Sequence, residues 1–151
     1  SGPYGRFVLR DEPPCRYVLV GTGTGITPYR AMLPALRERL AAGCQVHIML
    51  GVWRREELLF GDDFRAFAAA HDGAVFSACY SRDYPADPEA WEHSGYVQTR
   101  FSHLGLDPEK DVVYLCGNPA MIDESVEILK AMDFTLKQLR REKYLSARPA
   151  K

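Results

Sequence analysis

The sequence contains no apolar run approaching the ~20 residues that a helix needs to cross a bilayer. Its first five residues contain neither the basic region nor the apolar core of a secretory signal peptide. These two absences argue against a membrane-spanning or secreted protein. We therefore expect a cytoplasmic location and no membrane span.

Neither sign of charge dominates, since 19 Lys and Arg residues balance 20 Asp and Glu residues. This balance argues against the basic stripe of a nucleic-acid-binding protein and against a polybasic membrane anchor, so no nucleic-acid partner is expected. Cysteine is scarce: Cys15, Cys44, Cys79 and Cys116 lie far apart, without the CxxC pairs or His-Cys clusters of zinc and iron-sulfur sites. We expect free thiols and no metal.

Short aliphatic runs alternate with longer amphipathic segments, a pattern typical of βαβ units. A length of 151 residues and a hydrophobic content of 46% fit a single hydrophobic core. We predict an α/β fold with a doubly wound, five-stranded parallel sheet. The predicted strands are residues 17–20, 46–52, 74–80 and 112–116, the predicted helices are 28–42, 60–70, 97–104 and 119–132, residues 136–143 form a helix or an edge strand, and 82–91 form a surface loop.

A glycine-rich loop follows the first predicted strand and consists of Gly21, Thr22, Gly23, Thr24 and Gly25. Backbone N–H groups at the start of a helix hold a pyrophosphate well, and glycines let the backbone approach it. The loop is not a Rossmann GxGxxG, because position 26 is Ile and no acidic residue ends the second strand. It is not a Walker loop either, since no Gly-Lys-Ser/Thr follows. The alternative is a tight turn without a ligand.

A second loop follows the strand that ends at Cys116 and consists of Gly117, Asn118 and Pro119. A free cysteine at a strand end often packs as a small hydrophobe, which is the alternative interpretation. The turn before a helix N-terminus instead favours a thiol that touches a nicotinamide ring. Because parallel sheets bind ligands across the carboxyl ends of their strands, we expect both loops to converge on one bound molecule.

Polar side chains follow the third strand and the proline-rich loop: Ser81, Arg82, Tyr96, Gln98 and Arg100. Together, a guanidinium, a hydroxyl, an amide and an aromatic ring suit a 2′-phosphorylated adenosine, which favours NADP over NAD. Taken singly, each residue is better explained by a solvated polar loop, with Tyr96 as a half-buried staple. Near the carboxyl end, Glu142 and Tyr144 form either an ordinary charged edge or a carboxylate and an aromatic ring beside a flat ligand.

With these motifs in this order, residues 16–144 resemble the Rossmann-like NAD(P)-binding domain of the ferredoxin-NADP reductase family. The loop from Thr22 through Ile26 and Pro28 looks like that family's GTGIAPF segment, and the segment Tyr96-Val97-Gln98-Thr99-Arg100 looks like its YIQTR segment. The resemblance implies that Cys116, Glu142 and Tyr144 lie at the hydride-transfer site. It also implies a cofactor-binding set that includes Gly117, Asn118, Pro119 and Met121.

The same resemblance implies the domain organisation and the activity. Residues 1–14 look like the last strand and linker of a preceding FAD-binding barrel, and 15–151 like the NAD(P)-binding domain. No Arg-x-Tyr-Ser flavin motif occurs, and residues follow Tyr144, where the family usually ends. FAD is therefore expected only with a flavin domain, in the same or a companion chain.

The implied function is hydride transfer between NADPH and FAD, with electrons exchanged with ferredoxin or another iron-sulfur protein, or with flavodoxin. Two alternatives remain open. One is an NADH-dependent reductase that serves the iron-sulfur component of an oxygenase. The other is a nicotinamide-nucleotide-binding module without turnover.

Overall fold

One six-stranded parallel sheet organises the chain in a computed structural model that describes residues 7–10 and 15–144. The strand order is β4-β3-β2-β1-β5-β6, and every neighbouring pair is parallel. The strands are β1 Arg16–Thr22, β2 Gln45–Arg54, β3 Ala74–Asp83, β4 Glu92–Ser94, β5 Asp111–Gly117 and β6 Leu139–Lys143.

Three α-helices connect the strands within the described ranges: α1 Thr27–Ala41, α2 Gly61–Ala70 and α3 Pro119–Ala131. Pro28 occupies the first turn of α1, where its missing N–H would have no intrahelical partner. Gly43, with φ of 100°, follows the end of that helix. The 3-10 segments are Gly23–Ile26, Arg55–Glu57, Val97–His103 and Leu136–Gln138.

Both faces of the sheet are covered, as the predicted doubly wound fold requires. On one face, α1 and α2 bury side chains such as Leu36 and Phe64 against the strands. On the other, α3 and the 3-10 segment Val97–His103 bury Leu129 and Phe101. The predicted fold class is confirmed.

The sheet has six strands where the sequence predicts five. The additional strand, β4, is three residues long and has the sequence Glu-His-Ser, so no hydrophobic alternation marks it. β3 also continues to Asp83, which places Ser81 and Arg82 inside the strand and not in the loop that follows it. The tail combines both predicted alternatives, because the turn Leu136–Gln138 leads into the edge strand β6.

The chain reverses direction across the sheet between β1 and β5. From β1 the chain builds outward through β2, β3 and β4, and then returns to place β5 on the other side of β1. Open α/β sheets bind ligands in the crevice outside the carboxyl ends of the strands at such a switch point. The loop after β1 and the turn after β5 both lie there.

Residues 7–10 have no strand assignment, and Phe7 and Leu9 pack against the core on the face of the sheet that α1 and α2 cover. The Phe7 ring lies 5.6 Å from that of Tyr114 and 6.1 Å from that of Tyr29, centroid to centroid. The backbone N–H of Arg10 donates to the Tyr114 hydroxyl at 3.0 Å. The rest of the expected barrel strand and linker lies outside the described residues. No helix within the described ranges is long and apolar enough to cross a membrane.

Candidate functional site

The glycine loop and the turn after β5 are in direct backbone contact. A Cβ atom on Gly25 would overlap the backbone carbonyl of Cys116, and one on Gly117 would overlap the Thr22 side chain. The N–H of Asn118 donates to Thr22 Oγ1 at 2.9 Å. Gly117 also has φ of 130°, which L side chains rarely adopt. Any side chain at these two glycines would therefore push the loops apart.

Two residues of the loop, Gly23 and Thr24, are exposed to solvent. No atom lies within 4 Å of a Cβ built on Gly23, whereas Gly21, Gly25 and Ile26 are buried. These two residues precede α1, so they lie at the positive end of the helix dipole. The predicted loop residues thus divide into an exposed pair available to an anion and buried residues that shape the loop.

Cys116 lies beside the two residues that the resemblance placed with it. The residue is fully buried, and burial, with the nearby Glu142 carboxylate, raises the pKa of its thiol to about 12. The Tyr144 side chain lies close enough to the thiol to influence its pKa, and the Tyr144 backbone N–H donates to the Gly117 carbonyl at 2.7 Å. A thiol that stays protonated at neutral pH is a neutral wall of the site and a poor nucleophile.

The residues after the turn mainly build the start of α3. Asn118 Oδ1 accepts from the N–H groups of Ala120 at 2.8 Å and Met121 at 3.1 Å, which makes Asn118 the helix N-cap. Pro119 fills the first helical position, and the buried Met121 sulfur accepts from the Ser125 hydroxyl at 3.3 Å. Contact of these side chains with a cofactor stays a prediction.

A register shift places Ser81 and Arg82 opposite a single residue of β2. Val52 pairs with Tyr80, but the next pair is Arg54 with Asp83. Two residues of β3 therefore face only Trp53, as in a β-bulge, which re-aims side chains. The guanidinium carbon of Arg82 lies 4.1 Å from the centroid of the Trp53 ring.

The three predicted site residues after β4 lie in different environments. Tyr96 is 63% exposed, so its ring is accessible for stacking. Gln98 is buried: its amide nitrogen donates to Glu124 at 2.5 Å, and its amide oxygen has no hydrogen-bond partner among the described residues. Arg100 lies close enough to His47 and His93 for its charge to lower the pKa of each. Contact of Arg100 with a phosphate stays a prediction.

Sequence comparison assigns this arrangement to a family. The family model described as oxidoreductase NAD-binding domain matches residues 19–127, which span both loops and most of α3. The chain belongs to this family. Its predicted place as an NAD(P)-binding domain of ferredoxin-NADP reductase type is confirmed.

Curated relatives of this NAD-binding domain are longer proteins. The toluate 1,2-dioxygenase electron transfer component of Pseudomonas putida is 29% identical over 147 residues, covering 97% of this chain and 42% of that protein. Ferredoxin-NADP reductase B of Sorangium cellulosum is 32% identical over 131 residues, covering 80% of this chain and 50% of that protein. The chain thus spans half or less of the length of these relatives.

Solved structures share the fold of the NAD-binding domain. A ferredoxin-NADP reductase from Neisseria gonorrhoeae, determined with bound FAD and NADP, matches with a TM-score of 0.70 at 24% identity. The match covers 86% of this chain and 56% of that one. At this identity the likeness concerns the fold alone.

Two residues of the NAD-binding domain contact predicted site residues but were not themselves predicted from the sequence. Glu124 holds the Gln98 amide, and nothing in its exposed helical position marks it in the sequence. Trp53 supports Arg82 from the end of β2. That position is where an acidic residue is sought in a dinucleotide fold, and an aromatic residue there was the available signal.

Proposed function

We propose that the chain is the NADP(H)-binding half of a flavin-dependent oxidoreductase. The observation that carries the proposal is the backbone contact between the glycine loop and the turn after β5 at the switch point of the sheet. This contact puts an exposed glycine-rich loop beside a neutral, buried thiol and a tyrosine. One extended dinucleotide spans both features, with its pyrophosphate at the first and its nicotinamide at the second.

The described residues fit such a nucleotide. Gly23 and Thr24 are exposed residues before a helix, Tyr96 offers an accessible ring, and the buried Gln98 amide oxygen has a hydrogen-bonding capacity that no described residue uses. Arg82 has no carboxylate within ion-pairing distance in the described ranges. An anion at the 2′ position would provide the partner that this guanidinium lacks.

The protein's own contribution is orientation, because the cofactors supply the redox chemistry. A bound nicotinamide would exchange hydride with a flavin, which in turn handles electrons singly. Cys116 and Tyr144 would form one wall of the nicotinamide site and keep water from it, with Glu142 at its edge. FAD would be held mainly by a domain outside the described residues, in the same or a companion chain.

Arg82 and Ser81 would select NADP over NAD by binding the 2′-phosphate. We expect Arg82→Ala to weaken NADP⁺ binding at least tenfold and NAD⁺ binding less than twofold, because a charge-assisted, bidentate phosphate contact is lost. Calorimetric titration of the chain with NADP⁺, NAD⁺ and 2′-phospho-AMP measures both effects. Arg65→Ala is the matched control, since Arg65 also lies over a tryptophan, Trp91, but away from the site. Equal losses for both nucleotides would contradict the selection, and no binding of any nucleotide would contradict the whole proposal.

The electron acceptor follows from the class of enzyme. We propose ferredoxin or flavodoxin, with the iron-sulfur component of an oxygenase as a second candidate. The second candidate is supported by the similarity to the toluate dioxygenase electron transfer component. Preference of the chain for NAD⁺ over NADP⁺ in the same titration would favour the second candidate.

A further inference from the structure

The position of Arg82 depends on how the ends of β2 and β3 pair with each other. The register shift between Val52 and Arg54 gives β3 one extra residue there, so that Ser81 and Arg82 together face Trp53. The Arg82 guanidinium lies over the indole ring at 4.1 Å, well within the ~6 Å range of a cation–π interaction. Arg82 is exposed, so without this contact its long side chain would sample many rotamers.

Stacking on the ring leaves the hydrogen-bonding edge of the guanidinium available. A guanidinium is planar and its N–H groups lie in the plane, so contact with an aromatic ring through the guanidinium face leaves those N–H groups unused. Contact with the ring therefore restricts the position of the guanidinium before any ligand binds, and the fork of donors remains for a bidentate phosphate contact.

The neighbouring acid is removed from competition. Asp83 directly follows Arg82, and its carboxylate accepts a hydrogen bond from Arg54 Nε at 2.7 Å. Arg54 also lies 3.7 Å from Glu57, whose other carboxylate oxygen accepts from the backbone N–H of Trp53 at 3.2 Å. Glu57 thus holds the backbone at Trp53, and Arg54 pairs with the Asp83 carboxylate, which would otherwise compete for Arg82.

We propose that Trp53 is a positioning residue that determines specificity for a 2′-phosphorylated nucleotide by holding the Arg82 guanidinium ready for the phosphate. The inference rests on the proposed function and adds a residue to it. Trp53 stands at the end of the second strand, where a carboxylate would instead bind a free 2′-hydroxyl. A carboxylate at this position would repel a 2′-phosphate. An aromatic ring there instead supports Arg82, the residue that would bind the phosphate.

The test uses the whole chain and two probes, 2′-phospho-AMP and 5′-AMP, which differ only in the presence of the 2′-phosphate, together with NADP⁺ and NAD⁺. We expect Trp53→Leu to weaken 2′-phospho-AMP and NADP⁺ by about threefold to tenfold, the range of an exposed to partly desolvated cation–π contact, and to leave NAD⁺ within about twofold. Trp53→Phe retains a ring, so its loss should be smaller. In an Arg82→Ala background, Trp53→Leu should cause no further loss.

Trp91→Leu is the matched control, because Trp91 also carries an arginine, with Arg65 at 4.9 Å from its centroid. This variant should keep the affinity of the original chain for every nucleotide. It also leaves Trp53 as the single tryptophan of the two in the sequence. Its emission should then change saturably with 2′-phospho-AMP, at the midpoint that calorimetry measures. A thermal melt of each variant confirms that it is folded at the titration temperature.

Each other outcome overturns the inference in a recognisable way. Equal losses of NADP⁺ and NAD⁺ in Trp53→Leu would mean that the indole stacks on the base itself. A full effect of Trp53→Leu in the Arg82→Ala background would mean that it does not act through Arg82. If the original chain prefers NADP⁺ and Trp53→Leu retains that preference, the inference alone fails. If the original chain binds neither nucleotide, the proposed function fails with it.

Discussion

Single glycines in the site do different physical work although they belong to one loop. Gly23 has φ of 55° and open space around a would-be Cβ, so only its backbone conformation favours glycine. At Gly25 the constraint is contact, because its Cα faces the backbone of Cys116 and Gly117. Backbone atoms cannot rotate away as a side chain can. The distance between the two loops therefore depends on Gly25 more than on Gly23.

We predict that Gly25→Ala destabilises the protein by about 3 kcal/mol, since an added methyl group would overlap backbone that has no room to move. Gly23→Ala, in the same loop, should cost only about 1 kcal/mol, the strain of a left-handed alanine. Urea unfolding at pH 7.5 measures both. Similar values for the two variants would show that the loops separate easily, and would remove the main support for the site.

At the scale of elements, a buried carboxylate holds the short strand β4 in the sheet. Glu92 accepts two hydrogen bonds from Arg55, at 2.6 and 2.7 Å, one from the Tyr80 hydroxyl at 2.5 Å and one from the Glu89 N–H at 2.9 Å. The bonds to Arg55, then those to Glu89 and Tyr80, lower the pKa of Glu92 to about 2. Three residues form few backbone hydrogen bonds to a neighbouring strand, and this network provides further stabilisation of β4.

We predict that Glu92→Gln lowers the free energy of unfolding by about 2 kcal/mol at pH 7. Neutralising one partner of an ion pair costs most when the other partner is fully buried. Arg55 is 38% exposed, so water can solvate its charge and the cost stays moderate. The variant should also weaken nucleotide binding, because β4 leads directly to Tyr96 through the Gly95 N–H bond to the Tyr80 carbonyl at 2.8 Å. Chemical denaturation and calorimetry measure the two effects. Glu89→Gln is the control: only its backbone enters the network, so a comparable loss there would contradict the role of the Glu92 carboxylate.

For the whole molecule, the fold encloses a neutral histidine between strands. His47 on β2 lies 3.0 Å from the Ser77 hydroxyl on β3, and burial, with the charges of Arg16, His93 and Arg100, lowers its pKa to about 4. The unfolded chain binds a proton at the ordinary histidine pKa of about 6.5. Acid therefore favours the unfolded state through His47.

We predict that the free energy of unfolding falls by about 2 to 3 kcal/mol as the pH drops from 7.5 to 4.5 through this one group. The loss begins near pH 6.5 and levels off near pH 4, where the folded state also takes up the proton. Glu92 acts at lower pH, since a lowered carboxyl pKa contributes stability that is lost from about 4.5 downwards. Urea unfolding across this range resolves the two windows. His47→Gln should flatten the first one, and an unchanged slope would contradict the assignment.

Several features of the site were predictable and others were not. The glycine loop and the residues around Cys116 lie within runs of neighbours whose composition marks a strand, a turn and a helix start, and those elements formed within a few residues of their expected bounds. β4 was not predictable, because a carboxylate from Glu92 stabilises it through Arg55 and Tyr80, which lie far away in sequence. Nor was the register shift that brings Arg82 to Trp53, since pairing register is a property of two strands together.

The sequence by itself determined the class of fold, the order of the motifs and the family, because each depends on residues close together along the chain. Only the tertiary structure decided which glycine lets the two loops come into contact and that Arg82 lies on Trp53. These outcomes depend on contacts between segments tens of residues apart. Their geometry is set by the packing of strands and not by local preference, so it becomes visible only when the sheet is assembled.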